Sequence, residues 1–187
     1  MTLAKFEPRE SGLTATEDMQ ELESRFALAV KQRELLAGYI KEQLEPGKHF
    51  YKVAGSKNSL TKEGAEIVCL AHGYKPAYDK LAGPDEPFED GRPYQITVKC
   101  RLLLNGIEKG EGLGSASSYQ TNKEGKYKPR QNDPGLCHNA TLKIAQKSAY
   151  IAATLNSTAA SEFFTQDAED GAKATHDEAP DTTEHYC

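Results

Sequence analysis

QITVKCRLLL (95–104), NG (105–106) and IEKGEGLGSASSY (107–119) form the stretch on which the fold turns. In the first segment Ile96, Val98, Cys100 and Leu102 alternate with Thr97, Lys99 and Arg101. That two-residue period predicts a strand with one apolar face and one basic face. Asn105-Gly106 supplies the pair that a two-residue type I′ hairpin demands, because both central positions need positive φ. Residues 107–119 then return as the partner strand. Their glycines, Gly110, Gly112 and Gly114, point to a bulge or to backbone left open to a ligand.

Working outward, a helical period takes over on either side. Met19, Leu22, Phe26, Val30, Tyr39, Ile40 and Leu44 recur mostly at helical intervals and predict a long helix over 16–44, ended by Pro46-Gly47. His49 to Val53 reads as a short strand, followed by a turn through residues 55–59. Thr61 is placed to cap a second helix over 62–72, with Gly73 as its left-handed terminator. Residues 74–81 read as a strand and 83–93 as a loop rich in Pro, Gly, Asp and Glu. Residues 120–135 read as a polar loop. A last helix is predicted over 136–155, with Thr141, Ile144, Ala145, Ser148, Ile151, Ala152 and Leu155 inward and Asn139, Lys143, Lys147 and Tyr150 on the opposite face. Phe163 and Phe164 are expected to dock a final turn on the core. The domains expected are a flexible 1–15, an α+β domain over 16–165 and a disordered acidic tail over 166–187.

The 187 residues carry a net charge of −5, unevenly spread. Residues 1–45 sum to −3, 46–150 to +5 and 151–187 to −7. A basic middle between acidic ends fits an anion-binding surface beside a solubilising tail, or an ordinary solvated surface. Without a signal-peptide core at Met1–Lys5 or an apolar run long enough to span a bilayer, a cytoplasmic protein, bacterial or in a phage-infected host, is expected. Cys69, Cys100, Cys137 and Cys187 lack a disulfide framework and read as reduced thiols.

Catalytic motifs are scarce. Gly55-Ser56-Lys57 lacks the spacing of a phosphate-binding loop, and Gly110-x-Gly112-x-Gly114 does not open a helix as a dinucleotide fingerprint does. No Gly-x-Ser-x-Gly elbow or His-Glu-x-x-His occurs. Cys69-x-x-His72 with Cys137-His138 has zinc-like spacing, but a core cysteine on a helix is the commoner outcome. No metal, cofactor or catalytic residue is therefore expected. The carboxylates Asp79, Asp85, Glu86, Glu89 and Asp90 fall mostly in a Pro/Gly loop and read as solvated, leaving a small metal-dependent nuclease as a minor alternative.

The strongest constellation is cationic. Lys99 and Arg101 share the outward strand face and Lys109 follows on the returning strand. Lys123, Lys126, Lys128 and Arg130 crowd the next loop, and Lys143 and Lys147 extend the set along the last helix. Several cations along one surface are what phosphate backbones require. Tyr119 and Tyr127 lie among them, placed to stack on exposed bases, which suits single strands better than duplex.

Three motifs carry a resemblance. Glu111-Gly-Leu-Gly-Ser115, closing a hairpin, resembles the Gly-x-Gly-Ser strand of the single-strand DNA annealing superfamily, the Rad-fifty-two-type recombination and repair proteins. Ala140-Thr-Leu-Lys-Ile-Ala-Gln-Lys-Ser-Ala149 is similar to the Lys/Ala-spaced helix that follows a polar insertion there. Lys62-Glu-Gly-Ala-Glu66 and Ser161-Glu-Phe-Phe-Thr-Gln-Asp167 resemble its phage and bacterial branch. The likeness spans about residues 45–170. It implies an antiparallel sheet of three or more strands packed against a long helix, assembly into a ring or filament, and DNA in a basic groove between hairpin and helix. Lys143 and Lys147 then match the helix cations, with Lys99 and Arg101 lining the sheet side. The implied activity is ATP-independent binding and annealing of single-stranded DNA in recombination and repair. The chain departs from the pattern where Gln146 replaces one of a pair of helix cations, and in its net acidity. The alternatives are a module that recruits replication or recombination proteins without annealing, the acidic tail being one docking point for such a partner, and a phage-type inhibitory protein that acts through that tail.

Overall fold

A computed structural model describes residues 15–52, 57–122 and 124–166 of the chain. The packing divides it into two units, Met1–Glu42 and Gln43–Cys187. Expectations for residues 1–14 and for the tail beyond 166 lie outside the described residues.

The first unit is built on α1, Ala15–Gln43. The helix forms as the period predicts, and Lys41 in its last turn complements the negative end of the helix dipole. Met19, Leu22, Phe26 and Val30 are exposed.

The second unit is α+β. Strands β3 (Lys75–Ala82), β4 (Gln95–Leu104) and β5 (Ile107–Ser117) form an antiparallel meander in that order. Asn105 and Gly106 adopt φ of 52° and 80°, as the predicted turn requires. The register steps from Leu102↔Gly110 to Leu103↔Glu108, so Lys109 is the extra residue of a bulge. Ile96, Val98, Cys100 and Leu102 are fully buried on the inner face, beneath α3 (Pro134–Thr158). Asp133 caps α3 by accepting from the Leu136 N–H at 2.8 Å, and Pro134 follows at the first helical position, where its missing N–H costs nothing.

The glycines of β5 are filled by helix, which corrects the expectation of backbone open to a ligand. A Cβ built on Gly110 would meet Ser157; on Gly112, the Ala153 nitrogen at 2.1 Å; on Gly114, the Ala149 nitrogen at 2.1 Å and the Ala145 oxygen at 2.4 Å. The match is one of pitch. Two strand residues advance about 6.8 Å and four helix residues about 6 Å, so every second residue of β5 meets every fourth of α3. Ala145, Ala149, Ala153 and Ser157 are small at each meeting, and the backbones approach closely.

The other flank of α3 is covered by α2 (Lys62–His72). Thr61 caps α2 through the Gly64 N–H, and Gly73 ends it at φ 68°. Cys69 lies 3.2 Å from the Thr154 hydroxyl, and Tyr150 is buried beside it. Tyr150 therefore does not share the outward face expected for it. Helical periodicity gives one buried stripe, whereas α3 has two because a sheet and a helix both lie against it.

A second small sheet takes in the end of the stretch expected to turn at 55–59, whose residues 55 and 56 lie outside the described residues. β1 (Phe50–Tyr51) pairs antiparallel with β2 (Asn58–Leu60), which pairs parallel with β8 (Phe164–Thr165). Phe164 is buried, its ring 5.5 Å from that of Phe50. Among the described residues, no helix is long and apolar enough to cross a membrane.

Candidate nucleic-acid interface

On the outer sheet face, alternation places Lys99 and Arg101 away from α3, because their neighbours Val98, Cys100 and Leu102 point under it. Antiparallel register then brings acids to them. Lys99 Nζ lies 2.8 Å from Glu111 Oε2, and Arg101 Nε lies 2.8 Å from Asp79 Oδ2. The Glu111 hydrogen bond holds the Lys99 ammonium above its usual pKa. The hydroxyls of Thr97 and Ser115 close this ladder at 2.8 Å. The face is charge-balanced, not a basic stripe. It also lies across the sheet from α3, so Lys99 and Arg101 do not line a groove shared with the helix cations.

On α3, Lys143 is exposed and Lys147 is half-buried. Glu63, in the first turn of α2, has its carboxyl held below the usual range, first by a hydrogen bond from its own backbone N–H, then by the Thr61 hydroxyl and the Lys147 charge. Lys109 is exposed in its bulge. Among the described residues, the side chains of Lys109, Lys128 and Lys143 make no ion pair or hydrogen bond.

The remaining predicted residues do gather. The segment expected to be a loop is a hairpin of β6 (Tyr119–Thr121) and β7 (Tyr127–Pro129). Asn122 organises its tip by accepting from the Glu124 and Lys126 N–H groups at 3.1 and 2.8 Å, and Gly125 supplies φ of 77°. The Tyr119 and Tyr127 rings lie 5.2 Å apart, and Tyr127 is 61% exposed. Tyr119 donates its hydroxyl to the Gly91 carbonyl at 2.8 Å, tying the hairpin to the 83–94 loop. Arg130 serves the scaffold: its Nε donates to the Ser117 carbonyl at 2.6 Å and its Nη1 to Gln120 Oε1 at 2.9 Å. Lys126 sits 3.3 Å from Glu124, and Lys128 is exposed. Lys123 lies outside the described residues.

Beside this hairpin is an aromatic cluster that sequence reasoning missed. The Phe88 and Tyr94 rings meet edge to face at 5.7 Å, and the Arg92 guanidinium lies 4.0 Å over Phe88. The Tyr94 hydroxyl is 3.2 Å from His138 Nδ1, and burial raises the Tyr94 pKa. Phe88, Arg92, Tyr94, Tyr119 and Pro129 line a cleft together with Pro134 and Cys137 of α3. The signal was present in the aromatic residues flanking Arg92-Pro93, which composition assigned to a polar loop.

The zinc-like set disperses. Cys69 faces Thr154, His72 Nδ1 lies 2.9 Å from the Val68 carbonyl, Cys137 donates to the Ser118 carbonyl at 3.2 Å, and His138 meets Tyr94. Among the described residues, no group of three or more His, Cys, Asp or Glu could hold a metal ion. Asp79 pairs with Arg101, and Asp85 pairs with Lys80, which lowers the Asp85 pKa.

Comparison with protein-family models, with curated proteins and with solved structures finds no match.

Proposed function

We propose that the chain binds single-stranded DNA on the β6–β7 hairpin and the aromatic cluster beside it, and anneals complementary strands without ATP or a covalent step. The observation that carries this reading is the exposed Tyr127 ring, tilted 39° against that of Tyr119 at 5.2 Å, with the exposed Lys126 and Lys128 on either side of it along the chain. Every base has a π-face, so such a platform holds unpaired bases irrespective of sequence while cations take the phosphates. Annealing adds only the meeting of two loaded complexes, because base pairing supplies the free energy. The sheet-on-helix architecture also agrees with what the annealing superfamily resemblance implies.

Anisotropy of labelled single-stranded and duplex DNA across a salt series tests the proposal. Single strands should bind in preference, with affinity falling as salt rises. Tyr127→Ala should cost roughly 1–3 kcal/mol, the worth of one stacked base. Lys128→Ala should flatten the salt slope by about 0.7, the share of one phosphate contact on a single strand. Lys99→Ala should change little, since its charge is already met by Glu111. Absence of binding at low salt would overturn the proposal. The charge-balanced outer face would then favour a protein-recruitment module.

A further inference from the structure

The cleft beside the hairpin offers about 60 Å³ to the centres of water molecules. At ~10–15 Å³ for each, that admits about four to six waters, or roughly 120–180 Å³ of liquid. A single nucleobase has that bulk, and a base with its sugar and phosphate exceeds it. The walls are aromatic. Phe88 and Tyr94 meet edge to face, and Tyr119 belongs both to the cleft and to the platform, its ring 5.2 Å from that of Tyr127.

Most polar groups of the cleft are engaged with one another. Ser118 Oγ accepts from the Tyr94 N–H at 3.0 Å, the Cys137 thiol donates to the Ser118 carbonyl, and the Tyr119 hydroxyl donates to that of Gly91. Gln131 and Asn132 differ. Both are exposed at the cleft, and their side-chain amides make no hydrogen bond among the described residues. An amide offers donor and acceptor together, which is what the edge of a base presents.

Charge sets the direction of approach. The 83–94 loop, which supplies Phe88 and Arg92 to the cleft, also carries Asp85, Glu86, Glu89 and Asp90. These acids outnumber Arg92 even after Lys80 pairs with Asp85. Phosphates are drawn instead to the hairpin, where Lys128 is exposed and unpaired. A strand so placed turns its bases, not its backbone, toward the cleft.

We propose, on the strength of the single-strand reading above, that the strand held on the hairpin inserts one unpaired base into this cleft. The base packs against Phe88, Tyr94 and Tyr119 and sets its edge on the Gln131 and Asn132 amides.

Photo-cross-linking of the full-length protein to a thymidine oligonucleotide carrying one iodouracil, with anisotropy of the same complex, tests this. The main adduct should fall on Phe88 or Tyr94. Asn132→Ala should weaken binding roughly two- to tenfold, the worth of one hydrogen bond. It should leave the salt slope unchanged, because no phosphate contact is lost. Asn132→Trp, which sets a bulky ring at the cleft, should abolish the Phe88 and Tyr94 adducts and keep those on Tyr127. Binding with adducts confined to Tyr127 in the unaltered protein would overturn the insertion and leave the platform standing. Absence of binding at low salt would overturn the platform, and the insertion with it.

Discussion

Gly112→Ala sets two ordinary expectations against each other. Strand glycines are weak on entropic grounds, and alanine should by itself recover about 0.5–1 kcal/mol. The structure places the new Cβ 2.1 Å from the Ala153 nitrogen, 2.7 Å from the Ala149 oxygen and 2.7 Å from the Ala152 carbonyl carbon. Ordinary contact begins at 3.4 Å, so α3 must retreat by about 1.3 Å. The obstructing atoms are helix backbone and cannot rotate aside. Retreat would also loosen Thr141, Ala145, Ala149 and Ala153, all fully buried. Overpacking of a tight core costs roughly 1–3 kcal/mol. With backbone on one side and buried neighbours on the other, we expect the upper end, a net loss of about 2–2.5 kcal/mol after the entropic gain. In urea, with a slope of about 2 kcal/mol per molar, the unfolding midpoint should fall by roughly 1–1.25 M. Gly114→Ala should behave alike. A midpoint unchanged or raised in Gly112→Ala would refute the close approach of β5 and α3.

The same substitution should have the opposite sign at Gly38, where nothing lies within 4 Å of a built Cβ. There Gly38→Ala should stabilise α1 by about 1 kcal/mol, read as increased helicity and slower amide exchange in residues 30–43. Stability should also fall in alkali. Burial pushes the Cys100 thiol, fully out of solvent, up to about 12 from 9.0. The folded state thus keeps a proton that the unfolded chain releases once pH exceeds about 9. The stability this group contributes is whole below that pH and is lost as pH rises towards 12, by at most about 1.4 kcal/mol per pH unit. Urea midpoints at pH 8 and pH 10.5 measure this, and equal values would exclude it.

What the sequence made legible was local. The alternation of Ile96, Val98, Cys100 and Leu102, the Asn105-Gly106 turn, the Thr61 cap and the Gly73 terminator each depend on a few consecutive residues, and each is found in the structure. What it concealed depends on partners far along the chain. Strands of two or three residues, such as Asn58–Leu60 and Phe164–Thr165, are too short to show a period, and their pairing joins opposite ends of the second unit. Lys99 and Arg101 read as free cations because Asp79 and Glu111 reach them only through strand register. Tyr150 read as outward because a period cannot announce a second covering element. In the candidate interface, Tyr119 and Tyr127 were legible as aromatics among cations. Phe88 and Tyr94 stood in the sequence as aromatics around Arg92-Pro93, but their meeting with each other and with His138 was not legible, since it spans loop, strand edge and helix.

The seat of α3 on β5 also acts on the folding route. A hairpin held only by its own hydrogen bonds can slide by a residue, and a slide of one exchanges the two faces of a strand. Were β5 displaced in that way, Leu113 and Ser115 would stand where Gly112 and Gly114 now admit the helix backbone. The helix could not land. Docking of α3 therefore proofreads the hairpin: misaligned strands stay uncovered and free to unzip, and only the aligned pair is sealed.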